Sequence, residues 1–350
     1  MHFTDIAAVR LHNQHLLAKL DDPLAVVRSY GAMQAQEFRP AKWAVGMRSG
    51  SSEAVMQQLF DSGQLLRTHM LRPTWHFVLP EDIVWIQALT APRVQAFSKY
   101  YYKKMELDEA TLQKSVQVLA KAVQDGPLLR SEVKAAYQQA GIATAELRLG
   151  LLLMYAELQA VVCSGPMRGK QHTYMLVAHR APQAKRLSRQ EALAELTRRF
   201  FTAHGPATAS DFAWWSSLTV AEIKEGIALA KLQSMQIEGT AFYYGATPQL
   251  KTPSPSVHLL PIYDELTVAY KERRPISQLL AGNTNYNPKS LFYNLLAIDG
   301  QVAGGWKWGF NKIGCTLQIT PLITLNGTQK ASLAKKIEQL EHFLGLPVTS

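Results

Sequence analysis

A short string occurs twice in the chain, and its repetition constrains the fold more than any other feature of the sequence. Gly-Pro-x-x-x-Ser, followed by an acidic and an apolar residue, spans 126–133 and recurs at 205–212. Proline lacks an amide hydrogen and disfavours helical geometry in the residue before it, so each Gly-Pro ends a helix. These helices are expected at about 108 to 124 and about 188 to 203. The chain should therefore contain a repeated unit that begins with a helix.

After each string, the sequence predicts a short helix, a turn and a second helix. The second helices are expected at about 144 to 160 and about 219 to 231, with Thr144 and Thr219 as their N-caps. In the later one, Val220, Ile223 and Ile227 recur at helical spacing. This spacing gives an apolar face, which favours a helix-turn-helix in each copy.

Each copy then ends in a predicted β-hairpin. In one copy the paired runs are Val161–Ser164 and Tyr174–Val177, and in the other Met235–Ile237 and Phe242–Tyr244, with turn residues between them. Three helices followed by a hairpin are the layout of a winged helix, in which a helix enters a DNA groove and the hairpin contacts the backbone. DNA binding is therefore the first functional expectation.

The N-terminal region predicts a third copy that lacks the Gly-Pro marker. A helix to about Leu20 is followed by Asp22-Pro23, a good N-cap and first-turn pair, which opens a helix to about Met33. Further helices are expected from near Pro40 and over 52–61. A hairpin follows them, with its turn at 71–73.

The last hundred residues have a different pattern, with proline-containing loops from about Lys251 and short strands. Strands are expected at 258–260, 295–298 and 317–319, and Asp299-Gly300 between apolar runs is a strong hairpin turn. A final amphipathic helix is predicted at about 331 to 344. The fold class is therefore α+β, with three tandem winged-helix units at 1–105, 106–185 and 186–248 and a small β-rich domain at 249–350.

Composition supports a globular protein with a polyanionic partner. The 350 residues are 47% hydrophobic and 18% charged, and the net charge is +10. Such a balance favours phosphate contacts, although many basic proteins bind no nucleic acid. The two cysteines are far apart, the N-terminus lacks a signal pattern, and the most apolar stretch is interrupted by Glu157. We expect a cytoplasmic, nucleoid-associated monomer that needs no membrane, metal or cofactor.

Two basic segments are candidates for DNA contact. Arg168 and Lys170 lie in the predicted turn of the hairpin at 161–177. This turn does not match a phosphate-binding loop, because Gln171 stands where such a loop would need Ser or Thr. It is therefore interpreted as a wing tip. The segment 99–104 interleaves lysines with three tyrosines. It suits backbone neutralisation with base stacking, or equally an amphipathic helix end. Trp214-Trp215 is interpreted as core.

The most unusual polar string is Gln34-Ala35-Gln36, just before a predicted helix. Taken alone it is a weak signal, because surface glutamines are common and neutral amides are not general bases. Its context resembles the Gln-Ala-Gln motif of the AlkZ-like, YcaQ-related winged-helix DNA glycosylases. Other stretches resemble the same family in the same order, over about residues 1 to 320: 66–78, 204–208 with Asp211 and Trp214-Trp215, and Leu259-Leu260-Pro261 with Asp264-Glu265.

The resemblance implies three tandem winged helices, a barrel-like C-terminal domain, and excision of alkylated purines from double-stranded DNA. Some members also unhook interstrand crosslinks. It makes Gln34 and Gln36 the catalytic pair. The sequence departs from the family pattern at two positions: the YcaQ branch has Asp at the position of Gln36, and Pro73 replaces a more usual glycine. The residues assigned to DNA binding are Arg39, Lys42, Arg67, Arg72, His76, Arg168, Lys170 and Gln171.

Two hypotheses follow. The first is a monofunctional DNA glycosylase for cationic N7-alkylpurines, with bulky and crosslinked adducts as further candidates. The second is a non-catalytic winged-helix DNA-binding protein or transcription regulator. The stretch 147–155 is too apolar to lie exposed in a groove, which disfavours base reading by the second unit.

Overall fold

The computed structural model describes residues 2–245, 254–281 and 293–350. Within them lie helices of widely different length. In chain order they are α1 Phe3–Asn13, α2 Pro23–Tyr30, α3 Phe38–Ser49, α4 Glu53–Ser62, α5 Ile83–Lys104, α6 Glu109–Ala122, α7 Arg130–Gln139, α8 Arg148–Leu158, α9 Val177–Arg180, α10 Arg189–Ala203, α11 Ala209–Ser216, α12 Val220–Leu229, α13 Glu265–Val268, α14 Arg274–Ser277 and α15 Gly327–Leu344.

The strands are short except near the C-terminus, which makes the fold a mixed α+β one. In chain order they are β1 Ala32–Gln34, β2 Leu66–Met70, β3 Thr74–Val78, β4 Leu128–Leu129, β5 Val162–Ser164, β6 Thr173–Leu176, β7 Gln233–Ile237, β8 Thr240–Tyr244, β9 Val257–Leu260, β10 Leu295–Ile298, β11 Gln301–Phe310, β12 Cys315–Pro321 and β13 Val348–Thr349.

The chain divides into two compact units. Unit 1 comprises residues 1–57, 194–215 and 219–350, and unit 2 comprises residues 58–193 and 216–218. The predicted boundary between residues 248 and 249 lies outside the described residues.

Unit 2 contains the first Gly-Pro copy and has its own core. Leu112 and Leu119 of α6, Val133 and Tyr137 of α7, and most of the apolar face of α8 are buried together. The strands of this copy form one antiparallel sheet in the order β4–β6–β5. The hairpin predicted at its end is confirmed, and so is the burial of the apolar stretch in α8.

The second Gly-Pro copy lies mostly in unit 1 and has the same element order. Helix α10 leads through Gly205-Pro206 to α11 and α12, and β7 pairs with β8 in the predicted hairpin. Glycine is required at 205 because a Cβ there would lie 2.2 Å from the carbonyl oxygen of Phe201. In the first copy the reason differs, since Gly126 has open space around it and a φ of +152°.

The C-terminal part of unit 1 is a five-stranded sheet in the order β13–β12–β11–β10–β9. It is a half-barrel sheet, and the β-rich prediction for this region is confirmed. Ile298 pairs with Gln301 across the predicted Asp299-Gly300 turn, and both turn residues have positive φ. Helix α15 packs on β9 and on α3, where Phe343 contacts the ring of Trp43.

Several details differ from the sequence predictions. The N-cap of α8 is Leu147, so the prediction for Thr144 is wrong, whereas Thr219 does cap α12. Helices α1 and α2 end at Asn13 and Tyr30, earlier than predicted. A turn follows α1, in which His15 adopts positive φ, and Gly31 ends α2 with positive φ just before β1. Among the paired tryptophans, Trp215 is core, but Trp214 is 41% exposed.

Candidate active site

The Gln34-Ala35-Gln36 motif lies at the end of β1, directly before α3. Ala35 is fully buried, while the side chains of Gln34 and Gln36 are half-buried. The main-chain N–H of Gln34 donates to Oε1 of Glu265 at 2.7 Å. A buried carboxylate therefore fixes the backbone of the motif.

Glu265 connects the motif to the second Gly-Pro copy. Its other oxygen, Oε2, accepts from Nε2 of His204 and from the indole N–H of Trp215, both at 3.1 Å. Glu265 is 1% exposed. Burying a carboxylate is costly unless it is paired and hydrogen-bonded, and the three donors supply that compensation. The carboxylate therefore positions Gln34 through its main chain.

The neighbouring Asp264 anchors the helix that follows the motif. Its carboxylate accepts two hydrogen bonds from the guanidinium of Arg48 on α3, at 2.7 and 2.8 Å, and both side chains are fully buried. Burial would lower the pKa of Arg48, but the charge and hydrogen bonds of Asp264 raise it overall. Tyr30 donates to the main chain of Gln14, and its hydroxyl accepts from Arg48, so α2 and α3 join the same network.

A third buried acid, Asp211, closes the turn that follows Gly205-Pro206. Burial raises its pKa, although nearby Arg10 and several hydrogen bonds oppose that rise. Oδ1 accepts from the main-chain N–H groups of Lys271 and Glu272 at 2.8 and 2.7 Å. Arg10 lies 3.8 Å from Asp211, and its guanidinium stacks over the ring of Tyr270 at 3.6 Å. Asp211 therefore connects the turn after Gly205-Pro206 to the main chain at residues 271 and 272, within unit 1.

A cavity of about 530 Å³ opens beside the motif. Glu37 and Pro40, just after Gln36, form one part of its wall, and Trp306, Trp308 and Tyr293 form an aromatic part. Trp306 is buried and donates from its indole to the carbonyl of Leu260 at 2.9 Å. The polar side chains Gln318 and Lys307 also line the cavity, whereas Gln34 and Gln36 are not among its lining residues.

Of the DNA-binding residues predicted in unit 1, Arg39 is exposed and Lys42 is not. The Arg39 guanidinium lies 4.4 Å from the ring centre of Phe310 and bonds Glu53 at 2.9 Å. Lys42 is 5% exposed, and its ammonium bonds the same Glu53 oxygen at 2.8 Å. Burial would raise the pKa of Glu53, but the hydrogen bonds and charges of Lys42 and Arg39 lower it overall. Burial and this ion pair make Lys42 unsuitable for contact with DNA.

In unit 2, three predicted residues lie on or between β2 and β3. Arg67 is 7% exposed, and its guanidinium stacks over Trp75 at 4.4 Å. Arg72 is half-buried in the turn between the strands. His76 is fully buried, with Nδ1 bonded to the carbonyl of Thr74 at 2.9 Å. Arg67 also lines a cavity of about 390 Å³ in unit 2.

The tip of the β5–β6 hairpin is exposed, as a wing requires. Arg168, Lys170 and Gln171 are all exposed there. Arg168 is held by Glu132 at 2.7 Å and by the carbonyl of Pro127 at 2.8 Å, so its position is fixed. Their role in DNA binding stays a prediction.

Sequence reasoning missed the part played by the buried acids. Asp264 and Glu265 are recognisable in sequence only as a C-terminal landmark, and their distance along the chain from Gln34 conceals the contact. Two adjacent acids a few residues after an apolar strand are the available signal, since buried carboxylates need specific partners. Within the described ranges, no three His, Cys, Asp or Glu side chains are grouped as metal ligands would be. None of the described helices is both long and apolar enough to cross a bilayer.

Comparison with known proteins places this fold among the DNA glycosylases. The chain matches the solved structure of the Streptomyces sahachiroi DNA glycosylase AlkZ with a TM-score of 0.79 and 18% identity, over 99% of each chain. No curated protein matches its sequence. The family described as DNA glycosylase AlkZ-like matches residues 27–343, and the chain belongs to that family.

Proposed function

We propose that the chain is a monofunctional DNA repair glycosylase that hydrolyses the N-glycosidic bond of cationic N7-alkylpurines in double-stranded DNA. Bulky and interstrand-crosslinked adducts are further substrates in this proposal. The observation that carries it is the Gln34-Ala35-Gln36 motif, whose backbone is held by the buried Glu265. The cavity beside Glu37 gives room for an adduct.

The chemistry suits a site without a catalytic carboxylate. Alkylation at N7 makes the purine cationic, so the base leaves with the electron pair of the bond to the sugar carbon and becomes neutral. The sugar passes through an oxocarbenium-like state, which water then attacks with loss of a proton. The side-chain oxygens of Gln34 and Gln36 orient that water, and their dipoles stabilise the positive charge that develops on the sugar.

The repeated element order supplies the DNA scaffold. We infer three winged helices, built from α2 to β3, α6 to β6 and α10 to β8, with the β-rich region after them. Arg39, Arg67, Arg72 and the exposed hairpin residues Arg168, Lys170 and Gln171 contact the DNA backbone in this proposal. The net charge of +10 is consistent with such contacts. The protein then acts as a monomer in the nucleoid and uses no cofactor.

The direct test is release of 7-methylguanine from methylated duplex DNA. Wild type should release the base, and Gln34→Ala and Gln36→Ala should each slow release by about 100-fold, the scale of one lost transition-state contact. Binding of undamaged duplex should stay unchanged in both variants. If wild type binds duplex but frees no base from any N7-alkylated substrate, the glycosylase proposal is lost, and the non-catalytic DNA-binding protein takes its place.

A further inference from the structure

Unit 2 holds two cavities that share two lining residues, one with several charged side chains in its lining and the other with mainly apolar ones. Both are lined by Trp75 of β3 and by Arg130, the first residue of α7. One has a volume of about 390 Å³ and the other about 350 Å³. We name them the cationic compartment and the apolar compartment.

The cationic compartment collects positive side chains from three separate elements. Arg67 of β2, Arg130 of α7 and Lys170 of the β5–β6 hairpin line it, and Glu157 is its one carboxylate. The Glu157 carboxylate is already engaged, because it bonds Nδ1 of His69. Three cations against one paired acid favour an anionic group such as a phosphate.

The apolar compartment also has Trp75 in its lining. Leu151, Leu153 and Met154 of α8 line it. Phe97, Tyr101 and Leu147 line it as well and are 54%, 49% and 57% exposed. Large apolar side chains with this much exposure, gathered around one cavity, favour a flat apolar ligand. The tyrosine segment at 99–104 therefore contributes Tyr101 to the apolar compartment, whereas Tyr100 lines neither one.

His69 gives the apolar compartment a polar edge. Its ring lies 4.3 Å from that of Trp75, centre to centre, and Nδ1 is held by Glu157. Gln87 fixes the same region by donating to the main-chain carbonyl of Glu157 at 3.0 Å. With Nδ1 engaged, Nε2 is the ring nitrogen that can bond the edge of a ligand.

We propose that the two compartments together bind one nucleotide, with its phosphate among Arg67, Arg130 and Lys170 and its unstacked base against Phe97, Tyr101 and Leu147. The occupant is a nucleotide of a DNA strand whose base has left the stack. This site rests on the proposed function for its supply of DNA, but neither Gln34 nor Gln36 lines it. A free nucleotide has the same chemistry, so the test separates the two sources.

The test measures binding of the full chain to labelled single-stranded DNA by fluorescence anisotropy. A second oligonucleotide of equal length carries abasic sites only, so it presents phosphates without bases. Tyr101→Ser should weaken binding of the normal strand about fivefold or more, since one base stacking contact has that worth, and should leave the abasic strand unchanged. Arg130→Gln should weaken both strands because it removes a phosphate contact.

Two matched controls accompany these variants. Tyr100→Ser removes a neighbouring tyrosine that is 68% exposed, and Lys114→Gln removes an exposed charge of α6; neither residue lines a compartment. Both should bind like wild type. Equal losses for Tyr100→Ser and Tyr101→Ser, or a loss for Tyr101→Ser that is the same on the abasic strand, would overturn the proposal.

One further measurement separates a free nucleotide from a DNA strand as the occupant. Another separates this nucleotide site from the proposed glycosylase function. Wild type should bind the labelled strand far more tightly than it binds deoxyadenosine monophosphate alone, because neighbouring phosphates of a strand add contacts. Equal affinities for the two would assign a free-nucleotide site and overturn the DNA-strand assignment. Gln34→Ala should lose base release and keep the full single-strand binding pattern. Absence of base release in wild type would therefore end the proposed function while the anisotropy pattern still decides the nucleotide site.

Discussion

At the residue scale, the carboxylate of Glu265 has the largest consequence. It holds the backbone of Gln34 at 2.7 Å and is bonded by His204 and Trp215 on its other oxygen. An amide in its place has only one oxygen, and its NH₂ group would face a donor. The buried donors would then be left without an acceptor, which costs more than the hydrogen bond itself is worth.

Glu265→Gln should therefore lower the free energy of unfolding by about 2 kcal/mol or more and reduce base release. Urea unfolding and the 7-methylguanine assay measure the two effects. Glu338→Gln changes an exposed acid on α15 and is the matched control. Unchanged stability and release in Glu265→Gln would show that the carboxylate does not position the motif.

His15 should make the free energy of unfolding depend on pH. Burial, with help from the nearby charges of Arg48 and His12, lowers its pKa from 6.5 to about 4. On acidification the unfolded chain takes up the proton first, so the folded state loses stability as the pH falls from 6.5 towards 4. His258, whose pKa is lowered well below 6.5 by burial, adds to the loss in the same direction.

His15→Asn should flatten this dependence. Asparagine tolerates the positive φ of 58° at this position and does not titrate. The slope of unfolding free energy against pH should fall by up to about 1.4 kcal/mol per pH unit in that window, the worth of one proton. Denaturant unfolding at several pH values gives the slopes. Parallel profiles for variant and wild type would contradict the assignment.

At the element scale, the two predicted threonine caps had different outcomes for a local reason. Thr219 accepts from the N–H of Glu222, and the Glu222 carboxylate bonds back to Thr219, forming a complete capping box. The sequence contains both partners, so this cap was predictable. The residue three positions after Thr144 is Leu147, which cannot return the bond. The helix starts at Arg148 instead.

Thr219→Ala should lower the free energy of unfolding by about 1 kcal/mol, the usual cost of losing an N-cap oxygen. Thr219→Ser keeps that oxygen and is the control, with an expected change of a few tenths at most. Urea unfolding of the three proteins makes the comparison. Equal losses in the two variants would mean that the methyl group, not the cap, stabilises α12.

At the scale of the whole molecule, the net charge determines how the affinity for DNA depends on salt. The excess of ten positive charges lies on a chain whose family acts on DNA. Exposed cations release counterions when they contact phosphates, so affinity depends on salt even where no base is read. The buried ion pairs of Arg10, Arg48 and Lys42 do not contribute to this effect because their charges are compensated inside unit 1.

Duplex affinity should therefore fall at least tenfold between about 50 and about 200 mM salt. Anisotropy titrations of undamaged duplex at several salt concentrations give the slope of log affinity against log salt. Lys170→Gln should reduce the magnitude of that slope by about 1, the value of one lost phosphate contact. An affinity that does not change with salt concentration would show that these phosphate contacts are not made.

The amino-acid sequence by itself determined the order of the helices and hairpins in the two Gly-Pro copies, because the signals that start and stop them are local. Gly-Pro, Asp-Pro and Asp-Gly act within a few residues, and each marks a boundary found in the fold. The tertiary structure alone decided that Glu265 meets Gln34, since the two residues are 231 positions apart. It also decided which cations are paired inside the protein. Burial depends on what the rest of the chain brings to a side chain, and no local pattern records that.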